Sequence, residues 1–206
     1  MRIVLTSLLL LLPVVAPAAA PGILHVFGYD WSVPNSADWT IDRAGGVPVL
    51  HLITPRNPLP GPRRPIQFAL ADTPAWSNVT VEADVQPLDR SLMIVFSYRD
   101  AAHFNYAHLS IDTGLQQPMQ NGVFHVYGGE RVRISAPEGP PAFAASRRWY
   151  HIRLQHNGET GAVSVTVDGK AIPALHAVDV SLLSGKVGVG SFDETADFRN
   201  VRISAN

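Results

Sequence analysis

The chain of 206 residues contains no cysteine. This absence excludes a disulfide framework, a thiolate zinc site and a cysteine nucleophile. An excess of one charge is also lacking, because 16 Lys and Arg residues face 17 Asp and Glu residues and leave a formal net charge of -1. Binding to nucleic acid or to anionic lipid is therefore not expected. Charged residues make up 16% and hydrophobic residues 46%, which is typical of a folded protein rather than a disordered one.

A long apolar run is present at the N-terminus, and no later segment is apolar enough to span a membrane. Arg2 is followed by an apolar stretch from Leu5 to Val15 and by small-residue cleavage sites within residues 16–20, a pattern typical of a secretory signal peptide. The run is shorter than the roughly 20 residues of a membrane span, and Pro13 and Pro17 interrupt it. We expect residues 1–20 to be a signal peptide and residues 21–206 to form one domain, exported to the periplasm or the exterior, without membrane insertion.

The rest of the chain is dominated by short alternating segments rich in β-branched and aromatic residues. Eleven such segments are separated by Gly, Pro, Asn and Asp clusters: Val47–Ile53, Ile66–Ala71, Val79–Val85, Leu92–Arg99, Phe104–Ile111, Val123–Tyr127, Arg131–Ser135, Trp149–His156, Val163–Val167, Lys186–Phe192 and Phe198–Ile203. Hairpin turns are predicted at Gly128-Gly129, Asn157-Gly158 and Asp168-Gly169. A helical turn is predicted only at Ala177–Leu183. The pattern predicts an all-β fold, a two-sheet antiparallel β-sandwich of the jelly-roll type.

Alternation within these strands also predicts which side chains leave the core. Successive residues of a strand point to opposite faces. The residues predicted to face inward are Val79, Val81, Ala83, Val85, Ala107, Leu109, Ile111, Phe124, Val126, Val132 and Ile134. The residues predicted to face outward are Glu82, Asp84, Tyr106, His108, Ser110, His125, Tyr127, Arg131 and Arg133. Imidazole, phenol and guanidinium groups suit sugar hydroxyls, since they combine hydrogen bonding with flat surfaces; an ordinary solvated sheet face is the alternative.

Specific catalytic motifs are mostly lacking. No Gly-x-Ser-x-Gly elbow, His-Glu-x-x-His helix or phosphate loop occurs in the sequence. A retaining glucanase would carry a strand with the pattern Glu-x-Asp-x-x-Glu, because two carboxylates must act as nucleophile and acid. In this chain Glu82-Ala83-Asp84 is followed by Val85, Gln86 and Pro87, so the last carboxylate of the pattern is missing. Glu82 and Asp84 are therefore outer-face candidates for contact with a ligand, with a solvated strand as the alternative. His108 is the first candidate for acid-base catalysis, with Asn121 and Arg131 as orienting donors, although a single strand histidine is more often structural.

Two further segments offer ligand contacts. The proline-rich stretch 54–65 cannot form a regular strand, because proline lacks the backbone N–H, so we expect an extended loop that either brings Arg63 or Arg64 to a cleft or is a stiff connection. Asp193, Glu194 and Asp197 carry hard oxygen ligands. They make a divalent cation such as calcium a candidate cofactor, with a solvated acidic turn as the alternative.

The order of several short pieces resembles a known family. They are Arg64-Pro65 before Phe68-Ala69-Leu70, Phe96-Ser97-Tyr98-Arg99-Asp100, His103 to His108, Asn121-Gly122-Val123-Phe124 followed by Arg131, Trp149 to Arg153, Val165 to Gly169, Gly185 to Gly190 and Asp197 to Ile203. Together they resemble the concanavalin A-like jelly-roll domains of the 3-keto-disaccharide hydrolase group, also called family 16-like or laminin G-like. The resemblance implies an exported protein that acts on or binds carbohydrate. Residues 116–120 contain none of the acidic and histidine residues that the resemblance would place there.

Three hypotheses follow for the function. The first is a carbohydrate-active enzyme of the glycoside hydrolase or lyase type, acting on keto-sugar disaccharides with His108 as the catalytic residue. The second is a non-catalytic carbohydrate-binding or adhesion module that uses the same face. The third is a structural envelope protein that binds no saccharide. The candidate ligand contacts common to the first two are Arg64, Glu82, Arg99, Tyr106, Asn121, His125 and Arg131.

Overall fold

The computed structural model describes residues 20–57, 61 and 63–205. The predicted signal peptide, apart from Ala20, lies outside the described residues. The described chain consists of β-strands with two single-turn 3-10 helices, at Ser36–Asp38 and Pro173–Leu175. The strands are β1 Gly22–Val26, β2 Tyr29–Val33, β3 Trp39–Asp42, β4 Val49–Leu52, β5 Gln67–Ala71, β6 Val79–Pro87, β7 Ser91–Asp100, β8 His103–Ser110, β9 Gly122–Tyr127, β10 Glu130–Arg133, β11 Tyr150–Asn157, β12 Ala162–Val167, β13 Lys170–Ala171, β14 Ala177–Val178, β15 Lys186–Ser191 and β16 Ala196–Ala205.

Two antiparallel sheets contain all of these strands, as the sequence predicted. The front sheet has the order β1-β2-β5-β15-β7-β8-β9-β10. The back sheet has the order β13-β12-β11-β6-β16-β4-β3, and β14 pairs with β12. The all-β jelly-roll sandwich is therefore confirmed. Each of the eleven predicted strands corresponds to an observed one, and the structure adds β1, β2, β3, β13 and β14.

The main core lies between the two sheets. Strand β6 contributes every second residue, Val79, Val81, Ala83 and Val85, to this core, and β8 contributes Ala107 and Leu109 from the opposite sheet. These side chains are at most 1% exposed. Burying a large aliphatic side chain contributes roughly 1.5–3 kcal/mol, so this layer supplies the stability that the missing disulfides cannot. The predicted inward residues of β6 and β8 are confirmed.

The helical turn predicted at Ala177–Leu183 is wrong. A 3-10 turn lies earlier, at Pro173–Leu175, where proline occupies its start and fixes a helical φ. The segment that follows continues as β14, which pairs with β12 through Ala162 and Val178. In the part of the chain that the structure describes, no helix is long and apolar enough to cross a membrane.

Two neighbouring front-sheet strands approach each other unusually closely. A Cβ atom on Gly190 of β15 would lie 2.2 Å from the carbonyl oxygen of Gln67, and one on Gly188 would lie 2.6 Å from that of Ala69. Only glycine fits such a close backbone approach. The two glycines also leave the surface above β15 without side chains, between the residues of β5 and β7.

The front sheet is apolar on its second face as well. We call the surface that points away from the back sheet the outer face of the front sheet. A second cluster of buried side chains covers part of it: Phe68, Met93, Val95, Phe104, Tyr106, Phe124 and Val126. These side chains alternate along their strands with those of the main core. The front sheet therefore buries apolar side chains on both faces, unlike a sheet whose outer face is exposed to solvent.

Candidate functional site

The outer face above β8 and β9 is packed with aromatic rings. Tyr106 and Phe124 are register partners on these strands, and their rings stack with centroids 5.2 Å apart. Both side chains are completely buried. The prediction that Phe124 and Val126 face inward is wrong, because β9 carries apolar side chains on both faces. Tyr106 and His108 do lie on the predicted outer face, but the protein's own side chains cover them.

His108 is held by the protein at both ring nitrogens. Nδ1 lies 3.0 Å from the carbonyl oxygen of Met119, and Nε2 lies 2.9 Å from Oγ of Ser91. A carbonyl oxygen only accepts hydrogen bonds, so Nδ1 donates and Nε2 accepts. Burial lowers the pKa of His108 to about 4, which keeps the ring neutral at physiological pH. The expectation that His108 meets a substrate is corrected: the ring is 3% exposed and has no free nitrogen.

The segment that follows β8 closes this part of the face. Asn121 has a φ of 47°, and its side-chain amide accepts from the backbone N–H of Ala142 and donates to the carbonyl of Pro140. Arg133 on β10 donates to the carbonyls of Pro118, Gln120 and Asn121. Asn121 is therefore a buried residue whose side-chain amide holds the loop in place through hydrogen bonds within the protein. It is not the ligand donor that we expected.

Two other predicted contacts lie elsewhere. His125 points toward the back sheet, because its register partner Asn105 shares the face of Ala107, and its Nδ1 lies 3.0 Å from Oδ2 of Asp179. Glu82 lies on the outer side of the back sheet, 3.5 Å from the Nε atom of Arg153. The grouping of His125 and Glu82 with Tyr106 is therefore wrong.

Arg131 reaches the outer face of the front sheet as predicted. Its guanidinium carbon lies 4.6 Å from the ring centroid of Phe192 and 5.9 Å from that of Phe124. The guanidinium carbon of Arg63 lies 5.1 Å from the same Phe192 ring. Val132, which we expected to face inward, is 55% exposed, because β10 lies at the edge of the sheet.

The same outer face is open above β2, β5, β15 and β7. Two adjoining hollows of about 360 and 500 Å³ share Ser32, Leu70 and Tyr98, and we call them together the open groove. Their volumes fall in the range of roughly 300–1,000 Å³ that is typical of small-molecule sites. Phe68 and Leu70 supply apolar surface, while Arg64, Arg99 and Lys186 supply charge at the margins.

Tyr98 points into the open groove because of a β-bulge. Between Gly188 and Lys186 on β15, the partner strand β7 runs from Val95 to Tyr98 and so contains one extra residue. Ser97 takes up this residue with a φ of 50°. A bulge reverses the alternation after it, so Phe96 faces the core and Tyr98 faces outward beside Phe68, with ring centroids 5.6 Å apart. Burial raises the pKa of Tyr98, and Asp100 raises it further, so its hydroxyl stays protonated.

The two predicted arginines at the open groove keep part of their hydrogen-bonding capacity. Arg64 donates from Nε to the carbonyl of Ala101 at 2.8 Å, and Arg99 donates from Nε toward that of Ser184 at 3.4 Å. These bonds orient each guanidinium group and leave its terminal nitrogens for other partners. Sequence reasoning missed Phe68, Leu70, Tyr98 and Lys186. Phe68 and Leu70 could have been found from the run Phe68-Ala69-Leu70 in β5, because a strand that is apolar on both faces has an apolar outer surface.

The acidic residues proposed as calcium ligands serve separate partners. Asp193 pairs with Arg63 at 3.0 Å, and Asp197 lies 2.7 Å from Nδ1 of His51. Glu194 accepts from the backbone N–H of Ser91, and its Oε2 atom lies 2.6 Å from Oγ of the same residue. Within residues 20–57, 61 and 63–205, no three His, Asp or Glu side chains are grouped as a metal ion would need.

Comparison with known proteins identifies relatives of the fold. No protein-family model matches the sequence, and no curated protein matches it. Carbohydrate-binding module CBM66 from Bacillus subtilis is similar in structure, with a TM-score of 0.60 and 18% identity over 85% of this chain and 95% of the module. A xylan β-1,4-xylosidase from Bacillus halodurans has a TM-score of 0.55 and 16% identity over 90% of this chain and 38% of the xylosidase. These similarities show that the chain has the jelly-roll β-sandwich fold found in carbohydrate-binding and glycoside-hydrolase proteins.

Proposed function

We propose that the protein binds saccharides in the open groove. The observation that carries the proposal is the position of Tyr98, a half-buried aromatic ring beside Phe68 and Leu70 with charged donors at the margins. Sugar rings combine apolar C–H surfaces with hydroxyl groups, so an aromatic surface flanked by hydrogen-bond donors is complementary to them. The similarity to a carbohydrate-binding module agrees with this proposal.

The chemistry of the groove favours binding over hydrolysis. None of its described lining residues is Asp, Glu or His. Glycoside hydrolysis by the usual route needs two carboxyl groups on either side of the scissile bond. Of the carboxylates near the groove, Asp72 accepts from Lys186 at 3.0 Å, and Asp100 lies 2.9 Å from Nδ1 of His103. Hydrolysis of 3-keto disaccharides, which the family resemblance implies, stays a prediction, as does export of the protein.

Calorimetric titration with cellohexaose, xylohexaose and oligogalacturonate tests the proposal. We expect at least one of them to bind, and Tyr98→Ala to weaken its binding about tenfold, since loss of a well-placed aromatic contact costs on the order of 1–2 kcal/mol. Tyr127→Ala is the matched control, because Tyr127 is 52% exposed on the opposite face of β9 and should leave binding unchanged. Binding to none of the three, or equal loss in both variants, would contradict the proposal.

A second assay separates binding from turnover. Incubating the same saccharides and a 3-keto disaccharide with the protein should release no new reducing ends if the groove only binds. Release that persists in His108→Gln would show hydrolysis without the predicted catalytic residue. Release that is lost in His108→Gln, with the fold retained, would restore the enzyme hypothesis.

A further inference from the structure

We propose that Arg131 and Arg63, together with the hydroxyl of Tyr106, form an anion subsite for a saccharide that carries a carboxylate or a sulfate ester. This inference rests on the proposed function and adds the class of saccharide. The subsite lies on the outer face of the front sheet, at the Phe192 ring that both guanidinium groups contact.

The charge of Arg131 is not neutralised by the protein. Among the described residues, its recorded contacts are the rings of Phe192 and Phe124 and the nearby Tyr106 hydroxyl, and no carboxylate lies within ion-pair distance of it. Within the described part of the chain, Arg63 forms an ion pair with Asp193 alone, and its side chain is 61% exposed. Arg133 adds a third positive charge nearby, but its nitrogens already donate to backbone carbonyls. A guanidinium without a carboxylate partner is a strong donor for an anion.

The Tyr106 hydroxyl supplies the second observation. It is fully buried, and Arg131 lies close enough to donate to its oxygen, while the positive charges of Arg131, Arg133 and Arg63 act on it. No described residue accepts the hydroxyl proton, and a buried donor without an acceptor costs free energy. Arg131 is held by ring contacts and by no ion pair, so its side chain can move and admit an anion that would accept from this hydroxyl.

The anion subsite is adjacent to the open groove along the chain. Arg63 contacts Phe192, whereas the next residue, Arg64, lines the groove. The ring contacts also connect the two regions, since Phe68, Tyr98, Phe104 and Tyr106 form a continuous series with centroids 5.5 to 6.1 Å apart. Phe104 and Tyr106 are themselves buried, so it is the step from Arg64 to Arg63 that would lead a saccharide chain in the groove to Arg131, where a planar guanidinium can bind an acidic substituent with two donors.

Matched pairs of acidic and neutral saccharides test the anion subsite. Oligogalacturonate is compared with its methyl ester, and dextran sulfate with dextran, by calorimetric titration at low and high NaCl. We expect the acidic member of at least one pair to bind about tenfold or more tightly than the neutral one, which is the scale of a charge-assisted hydrogen bond. The preference should decrease as salt increases. The pair that shows it distinguishes a carboxylate from a sulfate ester.

Three variants assign the effect to residues. Arg131→Gln should abolish the preference for the acidic member and leave binding of the neutral member unchanged. Arg202→Gln removes one positive charge from the outer side of the back sheet and should change neither. Tyr106→Phe should weaken acidic binding with little change in the melting temperature, because no described residue accepts a hydrogen bond from the hydroxyl.

The outcomes separate this inference from the proposed function. Equal binding of acidic and neutral saccharides, with sensitivity to Tyr98→Ala, would overturn the anion subsite and support the groove. A preference that survives in Arg131→Gln would also overturn it. Acidic binding that depends on Arg131 but not on Tyr98 would support the subsite and contradict the groove. Absence of binding to every member of both pairs would overturn the anion subsite, and absence of binding to cellohexaose and xylohexaose as well would overturn both proposals.

Discussion

His108→Gln tests the conclusion that this histidine is a structural residue of the packed outer face. In the folded protein, burial, together with the positive charges of Arg131 and Arg133, lowers the pKa of His108 from 6.5 to about 4. The unfolded chain has the ordinary pKa. Below pH 6.5 the unfolded state therefore binds a proton that the folded state does not, and stability is lost as the pH falls towards 4.

The magnitude follows from the size of the shift. A difference of one pKa unit corresponds to 1.36 kcal/mol, so His108 should remove about 3 kcal/mol of stability between pH 6.5 and pH 4. Glu194, which contacts Ser91 beside His108, acts in the opposite direction, because burial raises its pKa in the folded protein. Folded Glu194 takes up its proton at a higher pH than the unfolded chain, which offsets part of the loss.

Urea unfolding followed by tryptophan fluorescence at several pH values between 7 and 4 measures this effect. Glutamine cannot be charged and can still donate to the Met119 carbonyl, so the His108→Gln variant should lose less stability than the wild type over this range. Subtracting the variant curve from the wild-type curve removes the contributions of the other titrating groups to the free energy of unfolding. His176→Gln, at an exposed histidine, should follow the wild type. A His108→Gln curve parallel to the wild-type curve would refute the assignment.

Two further predictions concern packing. Phe124→Ala should lower the free energy of unfolding by about 3–5 kcal/mol, because this ring is fully buried on the outer face, whereas Tyr127→Ala should cost less than about 1 kcal/mol; equal effects in denaturant unfolding would mean that the outer face above β9 is not packed. Gly190→Ala should cost about 1–3 kcal/mol, since its new Cβ would meet the Gln67 carbonyl. Gly45→Ala, which meets nothing within 4 Å, should not lower the melting temperature.

The sequence predicted the fold well because alternation is a local signal. In β6 the apolar residues Val79, Val81, Ala83 and Val85 alternate with polar ones, so one face is unambiguous. In β9 the pattern fails, because Val123, Phe124 and Val126 are all apolar and buried. Only the partner strand decides that Phe124 lies outside with Tyr106.

The missed N-terminal hairpin has a different cause. Strands β1 and β2 are joined by Phe27-Gly28, with φ values of 60° and 83°. A two-residue turn with both φ values positive is the usual hairpin geometry, but phenylalanine is rare in this conformation. Because a phenylalanine occupies the first turn position, the sequence did not predict this hairpin. The turn at Asp168-Gly169, with φ values of 49° and 75°, was predicted, since its residue types are typical of hairpins.

The candidate site could be predicted only in part. Arg64 and Arg99, two of the candidate ligand contacts, lie at the open groove. Tyr98 was missed because the bulge at Ser97 reverses its direction, and strict alternation would place it in the core. The covering of His108 was also missed, since it depends on Arg133 reaching carbonyls 12 to 15 residues away.

Amide chemical-shift mapping during a saccharide titration tests most directly whether the open groove binds saccharides. With ¹⁵N-labelled protein and cellohexaose, xylohexaose or oligogalacturonate, we expect the largest shifts at Leu70, Tyr98 and Lys186, which surround the groove. Glu82 and His151, on the outer side of the back sheet, should not shift. Shifts centred on Glu82 and His151, or none with any of the three saccharides, would contradict it.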